Sequence, residues 1–194
     1  MAAVTRLCVY CGSAAAVGPA YREAAAELGR RLAASGIGLV YGGGRVGLMG
    51  LVADAALSSG GTVTGIIPEI LHDAELGHHG VTDLIIVGSM HERKRRMFEM
   101  SDAFAVLPGG LGTLDETFEI ITWKLLALHD KPIVILDIEG YWQPLLRLLD
   151  HTVATGFSRK NTHELYTVVD SVEALISALA SSHEPELTAE SGRI

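Results

Sequence analysis

Two cysteines in 194 residues leave little with which to build a disulfide framework or a metal site. Cys8 and Cys11 form a single C-x-x-C, and no second pair completes a zinc site. They lie within and just after an apolar run, where small buried thiols are common. The eight histidines are scattered, with no His-Glu-x-x-His, so no metal is expected. No apolar run approaches the roughly 20 residues that cross a bilayer. Residues 1–10 lack the basic stretch and apolar core of a signal peptide. A cytoplasmic protein without membrane contact is the expectation. Positive charge is also scarce: 15 Lys and Arg stand against 23 Asp and Glu, a net charge of −8. A nucleic-acid partner, which calls for a basic surface, is not expected.

Apolar residues are plentiful at 48%, and the mean hydropathy is positive, as in a chain with a sizeable core. Residues 1–180 read as one domain and 181–194 as a polar, flexible tail. Short apolar runs at 6–10, 37–41, 62–67, 83–87, 103–107, 132–136 and 168–169 read as strands. Helical patterns fall between them, at 19–34, 48–58, 89–100, from 112 or 113 to about 129, at 141–154 and at 171–180. Strands that are continuous apolar runs and alternate with helices belong to a parallel sheet covered on both faces. The expected fold is α/β, a Rossmann-like doubly wound parallel sheet of about seven strands. In such folds a ligand sits beyond the carboxyl ends of the strands. Ser13, residues 42–44, 89–94 and 108–116 all follow strand ends and should converge there.

The stretch Leu107-Pro108-Gly109-Gly110-Leu111-Gly112-Thr113-Leu114-Asp115-Glu116 organises the rest. A strand, a glycine turn and a helix N-terminus make an anion site, because the first N–H groups of the helix are free and the macrodipole is positive there. Gly109, Gly110 and Gly112 let backbone approach a phosphate closely. Asp115 and Glu116 suit a hydroxyl-bearing part of the same ligand, such as a ribose. Thr113-x-x-Glu116 also fits a capping box, which would give Glu116 a purely structural task.

Gly42-x-Gly44-x-x-Gly47 matches a dinucleotide fingerprint but follows the second strand. It reads either as a nucleotide-cradling turn, with Gly43 and Gly44 against the ligand, or as a turn that lets a helix pack closely on the sheet. In the helix over 89–100, Ser89-x-x-Glu92 forms a capping box. Met90, Arg93, Lys94, Met97 and Met100 share one face, which should pack inward. Arg93 and Lys94 then need anionic partners, and Glu116 or a ligand phosphate would serve. Arg95 and Arg96 read as solvated charges.

Met90-His91-Glu92-Arg93-Lys94 followed by Pro108-Gly109-Gly110-Leu111-Gly112-Thr113-Leu114-Asp115-Glu116 resembles the signature of the LOG (Lonely Guy) family, over residues 7 to about 157. These are cytokinin riboside 5′-monophosphate phosphoribohydrolases, long labelled lysine decarboxylases. The resemblance implies that Arg93 and Glu116 form a catalytic pair. It also implies that Met90, Lys94 and residues 110–115 touch substrate, that Glu75 is a further contact, and that Ser13 lies on the phosphate side. It implies a homodimer with sites near the interface, a nucleoside monophosphate as substrate, and no cofactor. Leu111 stands where the family often has tyrosine, and Asp115 where it often has glutamate.

The chemistry implied is hydrolysis of the N-glycosidic bond of an AMP-like or N6-substituted purine nucleoside 5′-monophosphate. An oxocarbenium-like ribose would be stabilised by the Glu116 carboxylate, itself held ionised by Arg93. Two other readings stand beside it. One is a nucleotide or cofactor carrier of the same fold. The other is a nicotinamide-dependent oxidoreductase resting on residues 42–47.

Overall fold

A computed structural model describes residues 4–72 and 76–181. Seven strands, β1 (Arg6–Tyr10), β2 (Gly38–Tyr41), β3 (Val63–Pro68), β4 (Asp83–Val87), β5 (Ala103–Val106), β6 (Ile133–Leu136) and β7 (Thr167–Val169), form one sheet in the order β4-β3-β2-β1-β5-β6-β7. Every pairing is parallel. The expected tail over 181–194 lies outside the described residues, apart from Ser181, and so does Glu75.

Helices α1 (Pro19–Ala34), α2 (Gly47–Ser58), the single turn α3 (Glu69–Leu71), α4 (Met90–Glu99), α5 (Leu111–Leu125), α6 (Gln143–Ala154) and α7 (Val172–Ser181) connect the strands. Two cores result, one on each face of the sheet. Leu7 and Val9 of β1 pack with Leu28, Leu32, Val52, Leu175 and Leu179 of α1, α2 and α7. Cys8 and Tyr10, facing the other way, pack with Met97, Ile120, Ile121, Leu145 and Leu149 of α4, α5 and α6. This is the alternation a pleated strand imposes. The C-x-x-C is thereby divided: Cys8 lies in one core and Cys11 in the other, both as free thiols. Burial pushes both thiols well above their ordinary pKa. No described helix is long and apolar enough to cross a membrane.

Several element ends differ from the sequence expectation, two of them by two residues or more for a visible reason. Helix α5 stops at Leu125 rather than near His129. Ala127 takes a left-handed conformation (φ 55°), Leu128 N–H bonds to Trp123 O (2.9 Å) and Ala127 N–H to Lys124 O (3.0 Å). That is a Schellman closure without the glycine that usually announces one. Helix α6 begins at Gln143 rather than Tyr141. A 3-10 turn at Ile138–Gly140 precedes it, and Asp137 Oδ1 accepts from Trp142 N–H (2.6 Å).

Helices α1 and α2 meet at Gly29. A methyl group there would collide with the Val52 carbonyl and lie 2.9 Å from Ala55 Cβ. Gly29→Ala sets a gain of about 1 kcal/mol in helix propensity against overpacking of about 1–3 kcal/mol. Overpacking onto backbone should win, and the thermal midpoint should fall by several degrees in a melting experiment. A raised midpoint would show the contact to be more compliant than this.

Candidate active site

The sheet order reverses at β1 and β5, so the switch point lies between their carboxyl ends, where such folds bind ligands. Both loops there are tied together. Gly12 N–H donates to Pro108 O (3.0 Å), and Leu48 N–H, at the start of α2, donates to Gly12 O (3.0 Å). The turns after β1, β2 and β5 thus share one hydrogen-bonded floor.

The turn after β5 opens onto free space. Among the described residues, nothing lies within 4 Å of where a Cβ would stand on Gly110 or Gly112. A Cβ on Gly109, in contrast, would collide with Thr113 Oγ1 and stand 2.9 Å from Gly12 N. Gly110 is the N-cap of α5, and its carbonyl accepts from Leu114 N–H (3.0 Å). Helix α5 therefore starts earlier than the expected Gly112 or Thr113. Thr113 lies inside the first turn, with no side-chain cap. The capping-box alternative for Thr113 and Glu116 is not realised, because the Glu116 carboxylate is engaged elsewhere. Leu111 is 86% exposed at the head of the helix, and Leu114 is half-buried.

That engagement is with Arg93. Its Nη1 donates to Glu116 Oε1 at 2.6 Å, and its Nε donates to Ile66 O at 3.1 Å. Both side chains are more than nine-tenths buried. Burial pushes the Glu116 carboxyl above its ordinary pKa, and the adjacent Arg93 guanidinium opposes that rise without cancelling it. Desolvation thus outweighs the guanidinium in setting the direction of the shift. Lys94, one residue on, donates to Asp115 Oδ2 (3.0 Å) and lies 3.1 Å from Glu119 Oε1. Burial works against its charge, yet the bonds to these two carboxylates hold its pKa above the ordinary value.

Helix α4 delivers these cations as the spacing predicts, with one exception. Met97 is fully buried beside Arg93, but Met90 is 42% exposed. As the first residue of α4 it projects beyond the strand ends. Ser89 Oγ accepts from Glu92 N–H (3.1 Å), and Glu92 Oε2 accepts from Gly88 N–H (3.1 Å), one residue earlier than in a standard capping box. Arg95 and Arg96 are exposed.

The glycines after β2 serve neighbouring protein atoms. A Cβ on Gly42 would run into the Arg93 guanidinium. Gly43 (φ +75°) sits against Ile66 and Ile67, Gly44 against Met49, and Gly47 (φ +68°) against the backbone of Ser13. Each of these contacts is close packing between the turn and the elements around it. Gly43 and Gly44 are buried, and Ser13 is exposed. Across the turn, Arg45 N–H donates to Leu76 O (3.1 Å) and His78 N–H to Gly43 O (2.9 Å), which fixes residues 76–78 beside the crevice. The part played by Gly42 was not legible from the fingerprint. Nor was Tyr141, whose hydroxyl donates to Gly109 O (2.7 Å), although its loop follows the end of β6 and so belongs to the same rim.

Fold and site together define a Rossmann-like α/β protein with a glycine turn at a helix N-terminus and a buried arginine–glutamate pair beside it. A family model described as "Possible lysine decarboxylase" matches residues 49–179. A cytokinin riboside 5′-monophosphate phosphoribohydrolase of Rhodococcoides fascians is 47% identical over 174 residues, 89% of this chain and 88% of the relative. An Arabidopsis thaliana protein of the same name is 43% identical over 174 residues, covering 90% and 82%. The chain belongs to this family, the LOG family of phosphoribohydrolases. Among solved structures, the molybdenum cofactor binding protein of Rippkaea orientalis matches with a TM-score of 0.70 at 23% identity, over 91% of this chain and 95% of that one. That likeness is one of fold.

Proposed function

We propose that this protein hydrolyses the N-glycosidic bond of a purine nucleoside 5′-monophosphate, AMP or an N6-substituted cytokinin-type analogue, releasing free base and ribose 5-phosphate. The observation that carries this reading is the Arg93–Glu116 pair, buried at 2.6 Å on the inner side of an open glycine turn. The 5′-phosphate sits at the head of α5, on the free N–H groups of the first turn. Glu116 lies five residues from Leu111, about 7.5 Å along the axis, a ribose's reach from that seat. Its carboxylate stabilises the oxocarbenium-like sugar and deprotonates the attacking water. Phosphate binding energy positions C1′ over it. Arg93 and Ile66 O fix the carboxylate, and Lys94 and Asp115 border the ribose. One domain, residues 1–180, carries the reaction in the cytoplasm, where thiols such as Cys8 and Cys11 stay reduced.

A carrier needs the phosphate seat but no buried acid beside the sugar, so the pair favours turnover. A decarboxylase would need pyridoxal phosphate on a lysine, and the four lysines of the chain do not fit that group. Lys94 is paired with two carboxylates, Lys124 donates to Lys131 O and Lys131 to Phe98 O. Lys160 opens the segment before β7, at the sheet end opposite the crevice.

The test is base release, followed by chromatography, from AMP and N6-isopentenyl-AMP beside their unphosphorylated nucleosides. Base should appear from the monophosphates and at most about one-hundredth as fast from the nucleosides. Equal rates would remove the phosphate seat from the mechanism, and no release with retained nucleotide binding would leave a carrier. Because catalysis needs ionised Glu116 and burial raises its pKa, activity should fall on the acid side with a midpoint above the ordinary value of 4.5. A rate–pH profile flat down to that value would contradict the assignment.

The same reading includes a homodimer. Leu111, Phe118 and Leu125 recur every seven residues on α5 and are exposed, so they form an apolar stripe that begins at the site. Sedimentation should show a dimer that Phe118→Glu converts to monomer. A monomeric wild type would refute it.

A further inference from the structure

We infer that Tyr141 is a positioning residue for the phosphate seat: its hydroxyl locks the Gly109–Gly110 peptide so that the Gly110 N–H faces the ligand. This rests on the reading that a 5′-phosphate sits at the head of α5.

In a planar trans peptide, the carbonyl of one residue and the N–H of the next point to opposite sides. Fixing the Gly109 carbonyl therefore fixes the Gly110 N–H. Most peptides are held by the side chains around them, but this one has glycine on both flanks. Its plane can rotate at little cost, since glycine adopts positive and negative φ alike. The neighbouring groups of the turn are pinned: Leu107 N–H to Tyr10 O (2.9 Å), Pro108 O by Gly12 N–H (3.0 Å) and Gly110 O by Leu114 N–H (3.0 Å). For the Gly109 carbonyl the partner is the Tyr141 hydroxyl, at 2.7 Å.

Tyr141 is itself held in place. Its ring meets Tyr21 of α1 edge-on (5.5 Å, 72°) and Trp142 in the same way (4.9 Å, 88°). The turn that presents it contains Glu139 at φ 52° and Gly140 at φ 71°. Asp137 braces that turn by accepting from Trp142 N–H and Gln143 Nε2, each at 2.6 Å. A left-handed non-glycine residue carries a conformational cost that the surrounding bonds must sustain. Because Tyr141 rests on Tyr21, it draws the Gly109 carbonyl toward the α1 face of the sheet. The Gly110 N–H, on the other side of the same planar peptide, is thereby turned away from Tyr141 and Tyr21.

Tyr141→Phe removes the lock and keeps the ring. Calorimetric affinity for ribose 5-phosphate should fall about five- to tenfold, the scale of one hydrogen bond, while affinity for adenosine stays unchanged. KM for AMP should rise by the same factor, with kcat within about twofold. Tyr21→Phe, which lacks a bond to the turn, should match wild type and controls for loss of a nearby hydroxyl. Unchanged ribose 5-phosphate affinity in Tyr141→Phe would overturn the inference and leave the phosphate seat standing. An equal loss for adenosine would also overturn it, because a general disturbance of the site would explain both. A wild type that does not bind ribose 5-phosphate would overturn the phosphate seat as well.

Discussion

Glu116→Gln should lower base release about a thousandfold, within the range that a positioned acid or base contributes. Glutamine has the shape of glutamate and keeps an oxygen for the Arg93 guanidinium, now 2.6 Å away. It lacks the charge that meets an oxocarbenium-like sugar and the basicity that takes a proton from water. Substrate binding through the glycine turn should persist, so kcat should fall far more than KM rises. Arg93 then faces a neutral partner in a buried site, which costs about 1–3 kcal/mol of stability and a few degrees in the melt. Activity within about threefold of wild type, in a folded protein, would remove Glu116 from the chemistry.

Gly42→Ala should cost about a hundredfold in kcat without replacing an ionisable group. The added methyl would enter the space of the Arg93 guanidinium, 2.9 Å from its Cζ and 3.3 Å from Met49 Sδ. Surface arginines yield easily to such pressure. This one is bonded to Ile66 O and to Glu116 and is more than nine-tenths buried. It can move only by releasing those bonds, and a displacement of about 1 Å at a catalytic group is enough for the expected loss. Ser89, the N-cap of α4 that carries Arg93, stays in place, so the thermal midpoint should change by only a few degrees. Steady-state rates and a melt decide the matter. Full activity in Gly42→Ala would mean that the guanidinium has room the static geometry hides.

Much of this site was legible because two simple periodicities carry it. Continuous apolar runs marked the parallel sheet, and the rule that ligands sit beyond strand ends marked Ser13 and the loops at 42–44, 89–94 and 108–116. The three- and four-residue spacing on α4 put Arg93 beside Met97, on the face that is buried. What local pattern could not resolve was competition between partners. Thr113-x-x-Glu116 has the spacing of a cap, and only the approach of α4, from 23 residues earlier in the chain, decides that Glu116 answers Arg93 instead. The glycines at 42–47 likewise read as a nucleotide fingerprint. Their neighbours Arg93, Ile67, Met49 and Ser13 lie on other elements, so their packing role is visible only in three dimensions. Tyr141 was hidden for the same reason, since its acceptor lies 32 residues away.

The measurement that bears most directly on this account is the product balance from a nucleoside 5′-monophosphate. Purified protein is incubated with AMP and with N6-isopentenyl-AMP, and base, ribose 5-phosphate, nucleoside and inorganic phosphate are quantified together. Cleavage at C1′ predicts free base and ribose 5-phosphate in equal amounts, with no nucleoside and no inorganic phosphate. Nucleoside plus phosphate would place the cut at the other end of the ribose, and Glu116 would then be guarding the wrong bond.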